Sequence, residues 1–340
     1  MVKSKCDNFL VGIRCYTYNQ SQYITDTLNG FAKQQTTFPY IAMVVDDAST
    51  DGEQDIIVAY LEEHFELSDE KVAYKKETDY AYITFARHKT NINCYIAVLY
   101  LKENIHSKGL SYKKVEYISE WRDHTKYEAI CEGDDYWTDP LKLQKQVEFL
   151  ENNHEYGMCY TQCQYFYQDK NLLAPKPWGG PYESFEQIMK DNPIPTLTVL
   201  LRLDLQKKYT NEIEPSTKDW LMGDYPSWIW FSHESKIKFL PYCTGVYRVL
   251  SDSASHSSDV EKLIRFSASS IEIRRFYEQL FNIPRDTYVE PNFLLRRKLY
   301  LYARYHRCFD FIKTISSHPK LMLNLRVIGY IRFFFRRTFQ

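Results

Sequence analysis

No two cysteines in this chain are spaced as CxxC, and no stretch approaches 18 consecutive apolar residues. The first absence argues against zinc: among the eight cysteines, Cys159 and Cys163 stand four apart, but no second pair matches them. The second excludes a membrane-spanning helix, and the apolar run near the N-terminus is too short for a signal peptide. A net charge of −1 leaves no global field to recruit nucleic acid. No internal repeat is present. Cys15 and Cys131 lie inside apolar, strand-like runs and read as free buried thiols of a reducing compartment. The expected setting is therefore cytoplasmic, with any membrane attachment made from the cytosolic side.

What the sequence has in excess is rings: 16% of it is aromatic, with 29 Tyr and 20 Phe. Such rings suit a site that stacks on a base or a sugar face, and equally a tyrosine-rich core. Hydrophobic content of 44% and charged content of 26% are ordinary for a soluble globular protein. The length of 340 residues admits one large domain and a smaller appendage.

Along the chain, 9–16 (FLVGIRCY) reads as a continuous apolar strand. Ile24, Leu28 and Phe31 then mark one face of a helix ending near Gln35. A strand at 40–45 (YIAMVV) runs into Asp46-Asp47, and 49–52 open a helix with Ile56, Ile57, Tyr60 and Leu61 inward. A strand at 71–75, a helix near 91–103 and a strand at 127–131 continue the alternation. Residues 104–126 read as a polar surface insertion. After Asp139 and Pro140 a helix carries Leu143, Val147 and Leu150 inward. Five prolines within 170–195 mark a loop. A strand at 196–202, a short helix from Pro226 and strands near 236–240 and 245–250 follow, and beyond about 258 the chain turns helical and basic. Strand–helix alternation of this length predicts an α/β fold with a mostly parallel sheet covered on both faces.

Ligands of such sheets gather at the carboxyl ends of the strands. Three acidic groups fall at strand ends or helix starts: Asp46-Asp47, Glu132-Gly133-Asp134-Asp135 and Gly223-Asp224. Clustered carboxylates repel one another and call for a cation or for donor groups. Hard oxygen ligands suit Mg2+ or Mn2+, which can bridge the phosphates of a nucleotide diphosphate. An acidic pair such as Asp46-Asp47 can also do no more than cap a helix.

The ordered set YTYN (16–19), QQ (34–35), VVDDASTD (44–51), CEGDDYWTDPLKLQKQVEFL (131–150), Gly223-Asp224 and Val246-Tyr247-Arg248 resembles the family 2 glycosyltransferases of GT-A fold, over roughly residues 8–255. The resemblance implies a GT-A catalytic domain over 1–257 and a helical C-terminal segment over 258–340. It implies that Tyr16 and Tyr18 contact a uracil and its ribose, that Asp47 recognises the base edge and that Asp46 braces the loop. It places Asp134 and Asp135 on ribose and metal, and Glu132 at an outer position where the family more often has Asp. Asp224 falls where the family's catalytic base lies, and the helix start that follows it would keep it ionised. Many relatives carry His directly after the Tyr-Arg motif. Here His256 is the nearest substitute, either as a metal or phosphate ligand or as a loop histidine. Arg248 reads as a diphosphate contact or as a structural ion pair.

Trp178, Trp220, Trp228 and Trp230 are candidate platforms for an acceptor sugar, with a core role as the alternative. Arg87, His88 and Lys89 are either phosphate contacts or a solvated charge run. The expected activity is metal-dependent, inverting transfer of a sugar from a nucleotide-diphosphate sugar, a UDP-sugar, to a hydroxyl on a saccharide or lipid-linked saccharide. Two rivals remain: a domain that binds sugar nucleotide or a partner without turnover, and a nucleotidyltransferase. The latter needs a Gly-rich basic loop after the first strand, which YTYNQSQY is not. Over 290–340, aromatic and aliphatic residues alternate with arginines, as in a helix lying on anionic lipid or in one packed back on the protein.

Overall fold

The computed structural model describes residues 9–250, 257 and 259–338. β1 (Val11–Thr17) and β2 (Tyr40–Asp46) are apolar runs buried along nearly their whole length, as strands covered on both faces require. Between them α1 (Ile24–Ala32) buries Ile24, Leu28 and Phe31. α2 (Glu53–His64) follows β2 and starts after Gly52, whose φ of 88° suits a residue without Cβ. Next come β3 (Phe65–Glu66), β4 (Tyr74–Glu77), β5 (Ala81–His88) and β6 (Cys94–Leu101).

β6 corrects the sequence reading, which placed a helix there. Its run CYIAVLYL is apolar without interruption, so periodicity cannot choose between helix and strand. Hydrogen bonding on both sides, to β2 and to β5, settles it as an interior strand. The stretch 104–126 is likewise more than a surface insertion. It contains α3 (Lys113–Tyr117) and α4 (Ser119–Arg122), and it buries Ile105, Ile118 and Trp121 against the sheet core.

β7 (Tyr127–Ile130), β8 (Tyr136–Trp137) and α5 (Lys142–Asn152) come next. β9 (Tyr156–Tyr167) pairs with β10 (Leu172–Leu173), and α6 (Phe185–Lys190) precedes β11 (Leu200–Arg202) and α7 (Leu203–Ile213). α8 (Tyr225–Glu234) leads to β12 (Lys236–Val249), a single strand where the sequence suggested two. The sheet order is β3-β5-β6-β2-β1-β7-β11-β9-β12-β8, with β4 on β5 and β10 on β9. β6, β2, β1 and β7 run parallel, and the strands paired on either side of them run antiparallel. β1 pairs residue for residue with β2 from Val11–Tyr40 to Thr17–Asp46, so the two carboxyl ends finish level.

The chain forms two compact units. One gathers the described residues up to 188 with 193–216 and 231–248. The other gathers 189–192, 217–230 and the described residues from 249 onward. The second unit has its own core of Val260, Leu263, Ile264, Leu299, Tyr302, Phe311, Leu321, Val327 and Phe334. These residues lie on α9 (Val260–Leu280), α10 (Phe293–Arg304), α11 (Cys308–Ser317), a short turn and α12 (Leu325–Thr338). Asp259 caps α9 by accepting the backbone N–H groups of Glu261 and Lys262 at 2.9 and 3.2 Å. Among the described residues no helix is long and apolar enough to cross a membrane.

Candidate active site

The carboxyl ends of β1 and β2 are stitched together by their own loops. Asn19, at φ 54°, donates its N–H to Ser49 Oγ at 2.8 Å and accepts the Thr50 N–H on its side chain at 2.8 Å. Glu53, fully buried at the start of α2, accepts from the Thr17 hydroxyl, from the Gln20 N–H at 2.8 Å and from Ser49 Oγ at 2.8 Å. Asp46 accepts from Ser49 and Gln54, which makes it the loop brace the resemblance implied. These bonds tie the two loops to each other.

The acidic loop leaves β7 beside this frame. Gly133 donates its N–H to Tyr16 O at 3.0 Å, and Thr27 Oγ1 donates to Gly133 O and Asp135 O at 2.9 and 2.6 Å. A Cβ on Gly133 would stand 2.2 Å from Thr17 Oγ1, whose hydroxyl is already bonded to Glu53. Gly133→Ala should therefore destabilise the fold by about 1–3 kcal/mol through overpacking. Denaturant unfolding measures this, and an unchanged midpoint would mean that Thr17 can swing aside.

Between these loops lies a cavity of about 220 Å³ lined by Tyr16, Thr17, Tyr18, Gln20, Asp47, His106, Lys114, Glu132 and Asp134. Five of the residues singled out from sequence thus meet at one place. Tyr18 stands exposed at its rim. The Tyr16 ring has the Arg14 guanidinium 5.1 Å from its centroid and the Lys114 ammonium 5.3 Å from it. Arg14 is held in turn by the buried Glu128, whose other oxygen pairs with Arg122. Burial alone would raise the Glu128 pKa, but Arg122 and Arg14 overcome it and hold the carboxylate below its usual value.

Asp47 differs from the reading that gave it the base edge. It is fully buried, and its carboxylate accepts the N–H groups of Ile105 and Nζ of Lys114 at 2.8 and 2.9 Å, and that of His106 at 3.1 Å. It anchors the 104–114 segment and orients Lys114 toward the cavity. Lys114 and His106 were absent from the sequence-derived set. The available signal was helical spacing: Lys114, Ile118 and Trp121 fall at i, i+4 and i+7, one face of a helical stretch that buries all three.

The acidic loop is short of positive charge. Burial, opposed by Arg14 and aided by Asp134, pushes Glu132 up to about 7. Burial raises Asp134 as well, and burial together with Asp134 carries Asp135 well above the ordinary carboxylate range. Asp135 Oδ1 accepts the Arg248 N–H at 2.8 Å, which fixes the orientation of its carboxylate. The Arg248 side chain is buried beside the Tyr23 and Tyr136 rings, each 4.9 Å away, and pairs with Asp26, while its Nε has no hydrogen-bond partner. Hard, buried oxygen donors in an electron-rich pocket fit Mg2+ or Mn2+. Among the described residues no group of three or more His, Cys, Asp or Glu side chains could hold a metal by itself. Such an ion commonly uses one or two carboxylates and completes its shell with water and substrate phosphates.

Asp224, in the second unit, sits directly ahead of α8. Its Oδ1 accepts the Tyr225 N–H at 2.7 Å and its Oδ2 accepts from Asn192 Nδ2 at 3.2 Å. Trp228, one turn on, is only 1% exposed, and Trp230 is equally buried. The platform reading of these two fails because the helix turns both rings into the interior. Trp220 packs edge-on against Phe276 at 5.1 Å, and Trp178 stacks on Tyr165 at 5.1 Å. Arg87, His88 and Lys89 belong to the opposite end of the sheet, because Arg87 pairs with Tyr95 while Asp46 pairs with Tyr100. Lys89 donates to the Glu62 and Glu63 carbonyls at the end of α2 and takes no part in the cavity. His256 lies outside the described residues.

Parallel strands that end in an acidic loop and a cavity lined by tyrosines and carboxylates, flanked by antiparallel strands, make up the GT-A fold. No family model matches the sequence. An uncharacterized protein of Mycobacterium tuberculosis is 30% identical over 254 residues, spanning 72% of this chain but only 60% of that protein. A Bacillus subtilis protein named as a teichuronic acid biosynthesis glycosyltransferase, TuaG, is 26% identical over 258 residues, 72% of this chain and 81% of its own. In structure, S. aureus TarS 1–349 in complex with UDP-GlcNAc matches with TM-score 0.50 and 16% identity, over 96% of this chain and 80% of that one. The mannosyltransferase PcManGT of Pyrobaculum calidifontis, in complex with GDP-Man and Mn2+, matches with TM-score 0.50 and 11% identity, over 97% and 85%.

Proposed function

We propose that the chain is a metal-dependent, inverting glycosyltransferase that moves a sugar from a UDP-sugar to a hydroxyl of a saccharide acceptor, lipid-linked or part of a growing surface polysaccharide. The observation that carries this reading is the convergence of Tyr16, Tyr18, Asp47, Glu132 and Asp134 on one cavity at the strand ends. Tyr16 and Tyr18 offer ring faces to the base and ribose. Lys114 supplies donors to the base edge, and Asp47 orients it. Asp134 contacts the ribose. Mg2+ or Mn2+, held by Asp135 with Asp134, would offset the charge on the departing diphosphate.

Arg248 contributes a guanidinium to the same diphosphate region, fixed in place by the rings around it. Asp224 takes the proton from the acceptor hydroxyl as that oxygen attacks the anomeric carbon. One base and one displacement give inversion, with no second carboxylate acting as nucleophile. The catalytic domain is taken as 1–257, with 258–340 as a helical accessory. Contact of 290–340 with the cytoplasmic face of a membrane would hold the enzyme beside a lipid-linked acceptor. The expected TuaG-like setting is assembly of a surface polysaccharide.

Calorimetry with UDP and GDP, both in Mn2+, tests the donor. UDP should bind at least about tenfold more tightly, a difference of about 1.4 kcal/mol. Tighter binding of GDP would overturn the uridine assignment.

A further inference from the structure

Charge in this chain is unevenly divided. Residues 290–340 contain eleven Lys and Arg against Glu290 and Asp310 alone, so the preceding residues hold 32 basic and 42 acidic side chains. Within that basic segment is a cavity of about 390 Å³ lined by Glu290, Arg296, Leu323, Asn324, Leu325 and Arg326. Both arginines converge on the one carboxylate. Arg296 pairs with Glu290 Oε2, and Arg326 Nη1 lies 3.1 Å from the same oxygen. Two guanidinium groups share one anion, which leaves the notch with a net positive charge and donors to spare.

Beside the arginines, Leu323 and Leu325 are 85% and 84% exposed. The core of the unit does not need them, because Leu321, Val327 and Phe334 supply the buried side of the same segment. On α11, Phe309 and Ile312 lie three residues apart on one helix face and are also exposed. Bare leucines next to phosphate-matched arginines are the pattern of a surface that meets headgroups and acyl chains together.

We infer that the C-terminal unit carries a docking site for an anionic phospholipid surface, with the exposed Arg326 taking headgroup phosphate, the buried Arg296 neutralising Glu290 behind it, and Leu323 and Leu325 entering the acyl boundary. The inference rests on the membrane-side setting proposed above and names its ligand and residues. It is independent of the transfer chemistry, because none of these side chains belongs to the donor cavity.

The test is co-sedimentation of the full chain with vesicles of phosphatidylcholine alone and with phosphatidylglycerol added, across a salt series. Binding should require the anionic lipid. Arg326→Glu should weaken it about thirtyfold, the effect of removing one positive and adding one negative charge near the surface. Leu323→Ser with Leu325→Ser should abolish the part that survives high salt. A cooperative denaturant transition at the parent midpoint confirms that each variant folds. Absence of UDP binding by the parent, with its vesicle binding intact, would sink the donor reading and leave this one standing. Equal binding to neutral vesicles, absence of binding, or variants that sediment like the parent would overturn the proposal. So would protection by inorganic phosphate without vesicle binding, or a change only in self-association, which would make the face a contact between copies.

Discussion

Asp224→Asn is expected to slow sugar transfer by roughly 10²–10⁴, equivalent to about 2.7–5.5 kcal/mol of lost barrier lowering. The substitution keeps the shape and removes the proton acceptor. Its surroundings can absorb the change: the new amide oxygen still accepts the Tyr225 N–H, and Asn192, whose buried Oδ1 has no partner, can turn that oxygen to the new NH2. Stability should thus change little, and so should UDP affinity if Asp224 serves the acceptor. Steady-state transfer rates measured together with UDP titration separate the two effects. Turnover equal to the parent would remove Asp224 from the role and make Asp219 the next candidate.

The parts of the fold that could be read from sequence are those where an apolar run ends in chemistry. β1 runs into Tyr16-Thr17-Tyr18 and β2 into Asp46-Asp47, so strand and site announce each other. The parallel centre followed from that alternation. β6 was misread because its eight apolar residues carry no period. β9 was missed for the opposite reason: Thr161, Gln162 and Gln164 interrupt its apolar character, and pairing with distant strands is what makes it a strand.

The site divides in the same way. The acidic loop and the tyrosines were legible because carboxylates and rings at strand ends have few structural excuses. Lys114 was not, since a Lys-Lys pair in a charged stretch reads as solvated, and only the fold brings its ammonium 2.9 Å from Asp47. The part played by Asp47 changed for a related reason. The backbone amides of Ile105 and His106 that occupy it lie 58 and 59 residues away, and no local pattern foretells them.

The most direct measurement is nucleotide release from a panel of nucleotide sugars, before and after exhaustive chelation. Burial raises the pKa of Asp134 and, with the charge of Asp134, that of Asp135; in the proposed function a divalent cation would offset their charge and that of the donor diphosphate. Slow release of UDP should appear with at least one UDP-sugar, vanish with EDTA and return with Mn2+ or Mg2+. Asp135→Ala should lose both the release and the metal-dependent binding of UDP while unfolding near the parent midpoint. Full release after chelation, or no release and no UDP binding with metal present, would contradict a metal-dependent transferase.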